Sequence, residues 1–312
     1  MSFDFAAVSA PFRMQPGLRR LAPGARQLTP NRPGDRALSE KVAVLTSHAQ
    51  QALLCAPGFD AAPALLALAD HAAAEHPDAF DIDGARWHAR HLGWSVNAGE
   101  VQGGGAAAIG ACLSALPAHW RNAALLALAF AEDFAVIDGA TARIPWLAVC
   151  LPSHWAPEEK IGRHFAQVHA PVADNQVLIA AGEHLARLVT GVERWERFVW
   201  TVTRHPNLSQ HPQRCDNAPW PPDASADELV ARAHFRTERQ TFIPLPEHRQ
   251  AVFTIHVELS PLTQALHTAD QARQLHDALA SMSPAVLTYR GLTDARERLL
   301  AWLDQRAIAG IT

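Results

Sequence analysis

An α+β fold, helices packed on one antiparallel five-stranded sheet, is what this sequence predicts. Three observations carry the prediction. Helix-period apolar segments dominate the first third of the chain. Five β-rich runs follow between residues 134 and 259. Short turn signals join these runs in pairs, and a short turn can only return a strand antiparallel.

The elements read in order as follows. Residues 1–35, rich in Pro, Gly and Arg, form an extended arm that wraps the surface. Residues 35–54 are helical, with Asp35 or Ser39 as N-cap. Residues 60–75 are an Ala/Leu helix closed by Pro77, and 81–114 carry no clear period. Residues 118–130 are an apolar helix ending before Glu132 and Asp133. Two β-rich runs, 134–137 and 143–151, flank Asp138-Gly139 and make a hairpin stopped by Pro152. A short helix at 157–161 has Pro157 in its first turn, and 176–189 is an amphipathic helix. Residues 198–203 are a strand. The stretch 204–227 holds Pro206, Pro212, Pro219, Pro221 and Pro222 and reads as an unusually long loop. Strands at 234–243 and 250–259 turn at 244–249, and 262–280 and 294–308 are helical. The chain is expected to be one domain, 1–312, with a helical N-terminal region (1–131), a sheet core (132–260) and C-terminal helices (261–312).

Composition narrows the function classes. Of 312 residues 48% are hydrophobic and 19% charged, which supports a packed core. Net charge is −4 with no basic block, unlike a nucleic-acid binder. Lysine stands only at Lys41 and Lys160, so Arg carries the positive charge and favours fixed anion contacts. The longest apolar run, 123–131, is too short to span a bilayer. The N-terminus lacks a basic region and a signal core, so a cytoplasmic location is expected. Cys55, Cys112, Cys150 and Cys215 are far apart without a CxxC pair. That argues against a zinc or iron–sulfur site and fits a reducing compartment.

Other motifs are weak. Gly103, Gly104, Gly105 and Ala108 nearly fit a dinucleotide fingerprint, but 94–102 is polar and Gly-broken, so a plain flexible loop is the reading. His88 and His91 share a face if helical, and His205, His211 and Cys215 lie in the Pro-rich loop. Neither set has metal spacing, and both read as surface or loop residues.

Two segments concentrate unusual chemistry, 151–172 and 235–246. In the first, His169 precedes Ala170-Pro171, and the proline fixes the backbone beside it. It reads either as a ligand or as a buried His bonded to a carbonyl. In the second, alternation sends Arg236, Glu238 and Gln240 to one face and Thr237, Arg239 and Thr241 to the other. An ion-pair network or a polar ligand such as paired carboxylates accounts for charge on both faces.

These segments resemble the haem-dependent oxidative N-demethylase alpha subunit family. The matching strings are Pro152-Ser153-x-Trp155 with Lys160-x-Gly162, His169-x-Pro171-Val172, and Glu238-Arg239-Gln240-Thr241 with Leu245-Pro246 and Val252-Phe253-Thr254-Ile255. Weaker echoes are the run 12–19, His76-Pro77-Asp78-Ala79-Phe80, Glu132-Asp133 and Tyr289-Arg290-Gly291. The resemblance implies a PAS-like five-stranded antiparallel sheet holding haem b. It implies oxidation of small secondary amines such as dimethylamine to formaldehyde and a primary amine by dioxygen. Electrons would come from flavin and iron–sulfur partner subunits of a hetero-oligomer.

His169 is then the expected axial ligand of the haem iron, since His154 and His164 fall at variable positions. Arg239, Arg236 and Lys160 are the propionate anchors, with Gln240 a further donor. Glu238 and Gln240 are the candidates to face the amine, and a Glu238–Arg bridge holding the sheet is the competing role. The sequence departs from the pattern twice. Ala173 replaces a Pro, and Arg197-Phe198-Val199-Trp200 lacks the Asn common at position 199. If that Asn touches substrate in relatives, the amine differs here. A PAS-like haem protein binding a diatomic gas is the alternative function, set second because no output domain is expected beyond residue 312. A relative that has lost haem is the third.

Overall fold

A computed structural model describes residues 3–216 and 218–309. Among them the chain forms β1 (Arg19–Arg20), α1 (Arg36–Ala52), β2 (Leu53–Cys55), α2 (Ala62–Glu75), β3 (Phe80–Asp83), β4 (Arg86–Ala89), β5 (Trp94–Asn97), β6 (Glu100–Gly103), α3 (Ala107–Ala115) and α4 (Ala118–Ala129). Then come β7 (Asp133–Asp138), β8 (Arg143–Ala148), α5 (Phe165–His169), α6 (Gln176–Val189), β9 (Trp195–Thr203), α7 (Ala226–Val230), β10 (His234–Leu245) and β11 (Gln250–Pro261). The helices α8 (Leu262–Ala265), α9 (Ala269–Ala280), α10 (Pro284–Tyr289) and α11 (Arg296–Ala309) close the chain.

The five predicted strands lie together as β8-β7-β11-β10-β9, and their pairing is antiparallel throughout. The sheet is seven-stranded, not five-stranded, because two short segments extend its edges. The N-terminal arm lends β1, with Arg19 opposite Glu196, and β2 pairs with β8 through Leu53 opposite Ala148. Strands of two and three residues are too short to show an alternation, so the sequence hid them. The β10–β11 hairpin turns at Arg249, whose φ of 50° is left-handed.

Residues 80–103, which show no clear period in the sequence, add strands to the N-terminal region expected to be mainly helical. They form a four-stranded meander, β3-β4-β5-β6. The glycine run 103–105 ends β6 and leads by a short loop into α3. A Cβ on Gly105 would lie 1.8 Å from the Leu92 carbonyl oxygen, so it is glycine because backbone packs there.

Alternation along β10 divides the sheet into two faces. On one face Phe134, Val136, Ile243 and Val252 join Leu45, Leu68, Leu125 and Phe130 of the N-terminal layer in a continuous core. Each such side chain contributes about 1.5–3 kcal/mol by leaving water. Further along, Trp200, Val202 and Phe235 pack with Leu275, Leu279, Leu299 and Leu303 of the C-terminal helices. The arm is tied down there, with Trp200 Nε1 donating to the Ala7 carbonyl at 3.2 Å.

A buried charge fastens the start of the sheet. Lys41 Nζ, 0% exposed, reaches Asp133 Oδ1 at 3.1 Å and the carbonyls of Phe130 and Glu132 at 3.1 and 2.5 Å. Asp133 Oδ2 accepts the Leu151 N–H at 2.6 Å, so one carboxylate joins the head of β7 to the loop after β8. That loop, 151–164, runs to the opposite face of the sheet, which is not filled by core.

Candidate functional site

A cavity of about 760 Å³ lies against this second face. Its volume is in the upper part of the range of roughly 300–1,000 Å³ that small-molecule sites occupy. Sheet register arranges the floor. Ala135, Phe253 and Phe242 follow one another across β7, β11 and β10, and Ile255, Gln240 and Arg197 form the next row across β11, β10 and β9. One half is therefore apolar, with Phe242 stacked on Phe253 at 4.9 Å and Val189 of α6 against them. The other half carries Arg197, Gln240, Glu238 and Arg236. The roof comes from α5, α6 and the loop 151–164, with Trp220 and Arg290 at one side.

His169 is the last residue of α5. The helix starts at His164, whose side chain accepts the Ala166 N–H at 3.2 Å, while Gln167 reaches back to the His164 N–H at 3.1 Å. Phe165 presses so closely on α6 that a Cβ at Gly182 would meet its ring at 2.7 Å. His169 stacks on Phe165 at 4.0 Å. Its Nδ1 is 2.9 Å from the Phe165 carbonyl. A carbonyl only accepts, so Nδ1 carries the proton and Nε2 keeps its lone pair. The Asn175 amide donates to the His169 and Ala170 carbonyls at 3.1 and 2.9 Å and fixes the chain beyond. Burial pushes the imidazole down to about 4, opposed by its backbone bond and aided by the charges of Arg197 and Lys160, so the ring is neutral at pH 7.

The other expected residues divide. Lys160 lines the cavity and spends one N–H on the Val168 carbonyl at 3.0 Å; burial lowers its affinity for the proton. Glu238 lines it too. Ser153 Oγ donates to its Oε1, and Gln240 Nε2 donates to Oε2 at 2.6 Å. Arg236 faces the cavity but is committed elsewhere. Its Nε donates to Ser153 Oγ at 2.7 Å and Nη2 to the Leu151 carbonyl at 3.1 Å, so it holds the loop rather than offering a free fork. Arg239 does not reach the cavity. It lies on the other face, bonded to Glu196 at 2.9 Å and to the Arg26 carbonyl at 2.8 Å, as odd-numbered positions of β10 must.

The sequence reading missed the cation that stands free. Arg197, directly opposite Gln240, lines the cavity, and its guanidinium has no hydrogen-bond or ion-pair partner among the described residues. Burial lowers its affinity for the proton, and Glu238 opposes that. A part-buried guanidinium with no direct partner can take a negatively charged ligand group. The available signal was a lone Arg at a cavity-facing position beside a predicted strand. Val199, at the position noted for its missing Asn, lies opposite Glu238 and lines the cavity.

The remaining histidines separate by place. His88 lies on β4 at 3.1 Å from Asp81, and His91 in the next turn at 3.7 Å from Asp78, so no helix pairs them. His211 Nδ1 accepts the Gln213 N–H, and Nε2–H donates to Glu158 at 3.0 Å, which ties the Pro-rich loop to the loop 151–164. Cys215 is part-buried, and burial raises its thiol. Among the described residues no three His, Cys, Asp or Glu converge as metal ligands, and His169 lines the cavity with His154 and His205. No described helix is long and apolar enough to cross a membrane.

A family model described as haem-dependent oxidative N-demethylase, alpha subunit-like, matches residues 35–300. The match takes in β7–β11, His169, Arg197 and the loops of the cavity roof.

Proposed function

The chain belongs to the haem-dependent oxidative N-demethylase alpha subunit-like family, and from that membership we propose that this cavity holds haem b and serves the demethylation of a small secondary amine. Dimethylamine is the reference substrate, with formaldehyde and methylamine as products. One observation carries the reading: a neutral imidazole lines the cavity with no Nε2 partner among the described residues, its Nδ1–H anchored on the Phe165 carbonyl. That is the second-contact arrangement metal-bound histidines use to fix tautomer and ring orientation.

The cavity's chemistry fits the group. A porphyrin needs apolar walls and cations for two carboxylates. Phe242, Phe253, Leu147 and Val189 supply the first, and Arg197 and Lys160 the second. Bound haem supplies activation of dioxygen and oxidation of the N-methyl carbon. His169 would hold the iron through its ring nitrogen. Arg197 neutralises a carboxylate with a charge-assisted pair. Glu238 takes the substrate ammonium, its two oxygens aimed by Ser153 and Gln240, while Arg236 fixes Ser153. The aromatic floor keeps bulk water from the reacting methyl group. The strand order β8-β7-β11-β10-β9 supports a PAS-like core within a single haem-binding domain over 1–312. The alpha-subunit description supports a multi-subunit complex in which flavin and iron–sulfur partners deliver electrons.

The test is formaldehyde release from dimethylamine by the haem-loaded chain with a chemical or enzymatic electron source. Equal yields of formaldehyde and methylamine are expected. Rapid binding of a diatomic gas with no amine-dependent formaldehyde would transfer the site to a gas-binding role.

A further inference from the structure

We propose that His154 and His205 form a two-imidazole proton relay in the cavity wall, carrying inward the protons that reduction of dioxygen consumes. The proposal rests on the demethylase reading. Demethylation there balances as a secondary methylamine plus dioxygen, two electrons and two protons, giving demethylated amine, formaldehyde and water. One oxygen atom is inserted into a carbon–hydrogen bond of the methyl group. The carbon–nitrogen bond then breaks, and the aldehyde leaves. The other oxygen departs as water, taking two electrons from the reductase partner and two protons from solvent. His154 is exposed at the cavity wall and His205 half-buried, so the pair can link solvent to the aromatic-floored interior where those protons are used.

The two rings are placed for it. Both line the cavity, with centroids 4.7 Å apart and planes at 56°. No ring nitrogen of either has a protein partner among the described residues, whereas His169 and His211 are both anchored. His154 is presented at φ 58°, a left-handed conformation that residues with a Cβ seldom adopt. Its own N–H bonds the Gln210 carbonyl at 3.0 Å, and the Gln210 N–H bonds the Pro152 carbonyl at 2.9 Å, so the loop is pinned on both sides of it. His154 adjoins Ser153, which donates to Glu238.

No neighbour performs this task as well. Glu238 and Ser153 are committed to each other, and the guanidinium groups of Arg236 and Arg204 donate hydrogen bonds but have no lone pair to accept one. A neutral imidazole takes a proton on one nitrogen while releasing one from the other. Burial first, then the charges of His205, Arg236 and Arg204, push His154 down to about 4. Burial and Arg204 also lower His205, against Asp216. Both rings are thus neutral at pH 7 and exchange protons without storing one.

The experiment uses the full chain carrying haem, with His154→Gln and His205→Gln beside wild type. The absorption spectrum is read first. Each variant should keep wild-type haem content and spectrum, while formaldehyde per electron consumed falls at least about tenfold, toward the 10²–10⁴ range of lost acid–base function. The missing electrons should appear as hydrogen peroxide, and added imidazole should restore coupling to His154→Ala. In the haem-free chain, ¹⁵N-resolved titration should show His154 titrating at higher pH in His205→Gln. Wild-type coupling in variants with full haem, or loss of haem from the variants, would overturn the relay and leave the demethylase reading intact. A wild-type chain that takes up no haem would overturn both, and that result is separate because it precedes any variant.

Discussion

Replacing Arg197 with Met separates a ligand anchor from a structural residue. Among the described residues the guanidinium makes no hydrogen bond and no ion pair that the substitution would break. It carries instead a burial penalty that the charge of Glu238 opposes without a direct contact. Exchange of buried charge for an apolar side chain of similar length often stabilises by about 1–4 kcal/mol. Without haem, Arg197→Met should therefore melt at or above the wild-type temperature, by about 2–4 °C for each kcal/mol gained. With haem the sign reverses. Loss of one charge-assisted pair costs about 1.5–3 kcal/mol, or about 10- to 100-fold in affinity. Haem titration in the visible region and thermal melts with and without haem measure both halves. A variant that melts lower without haem and binds haem as wild type would refute the reasoning and make Arg197 part of the scaffold.

Three further outcomes are expected. Arg236→Met should lose about 3–5 kcal/mol in urea unfolding, because Ser153 and the Leu151 carbonyl lose a buried charged donor; a loss under about 1 kcal/mol would mean the loop does not depend on it. Glu238→Gln should raise the KM for dimethylamine about tenfold or more with haem content unchanged, and an unaltered KM would move the ammonium elsewhere. Glu132, pushed up to about 7 by burial against the Thr29 N–H, stays protonated in the folded chain between about pH 4.5 and 7, where the unfolded chain has released that proton. Its contribution is full below pH 4.5 and is lost as pH rises toward 7. The stability difference between wild type and Glu132→Gln should accordingly fall by up to about 3 kcal/mol over that window, and a flat difference would contradict it.

The long elements were legible because their pattern repeats often enough to read. Amphipathic α6, Gln176–Val189, and the strands β10 and β11 lie where alternation and turn residues put them. The alternation of β10 also sorted Arg236, Glu238 and Gln240 from Arg239 correctly; only the propionate role given to Arg239 ignored it. Strands β1 and β2 were not legible, since their partners are distant in sequence and only tertiary pairing defines them. The meander 80–103 was obscured by polar residues and by glycines such as Gly103, where a Cβ would lie 2.2 Å from the Gly93 carbonyl oxygen. His169 came from the resemblance together with its proline neighbour. That its proton sits on Nδ1 follows from the helix turn that brings the Phe165 carbonyl to it, which only coordinates reveal. Arg197 was overlooked because an unpaired charge is recognised by what it lacks in space.

Everything proposed for this cavity depends on His169 Nε2 holding a haem iron. Absorption spectra of His169→Ala beside wild type, each reconstituted with haem and recorded oxidised and after dithionite, test it most directly. The side chain's one hydrogen bond lies within its own short helix, so the variant should fold. Wild type should show an imidazole-ligated haem band that responds to dithionite, and the variant should lose that band or the haem itself. A variant with wild-type haem content and an unchanged spectrum in both states would contradict the claim.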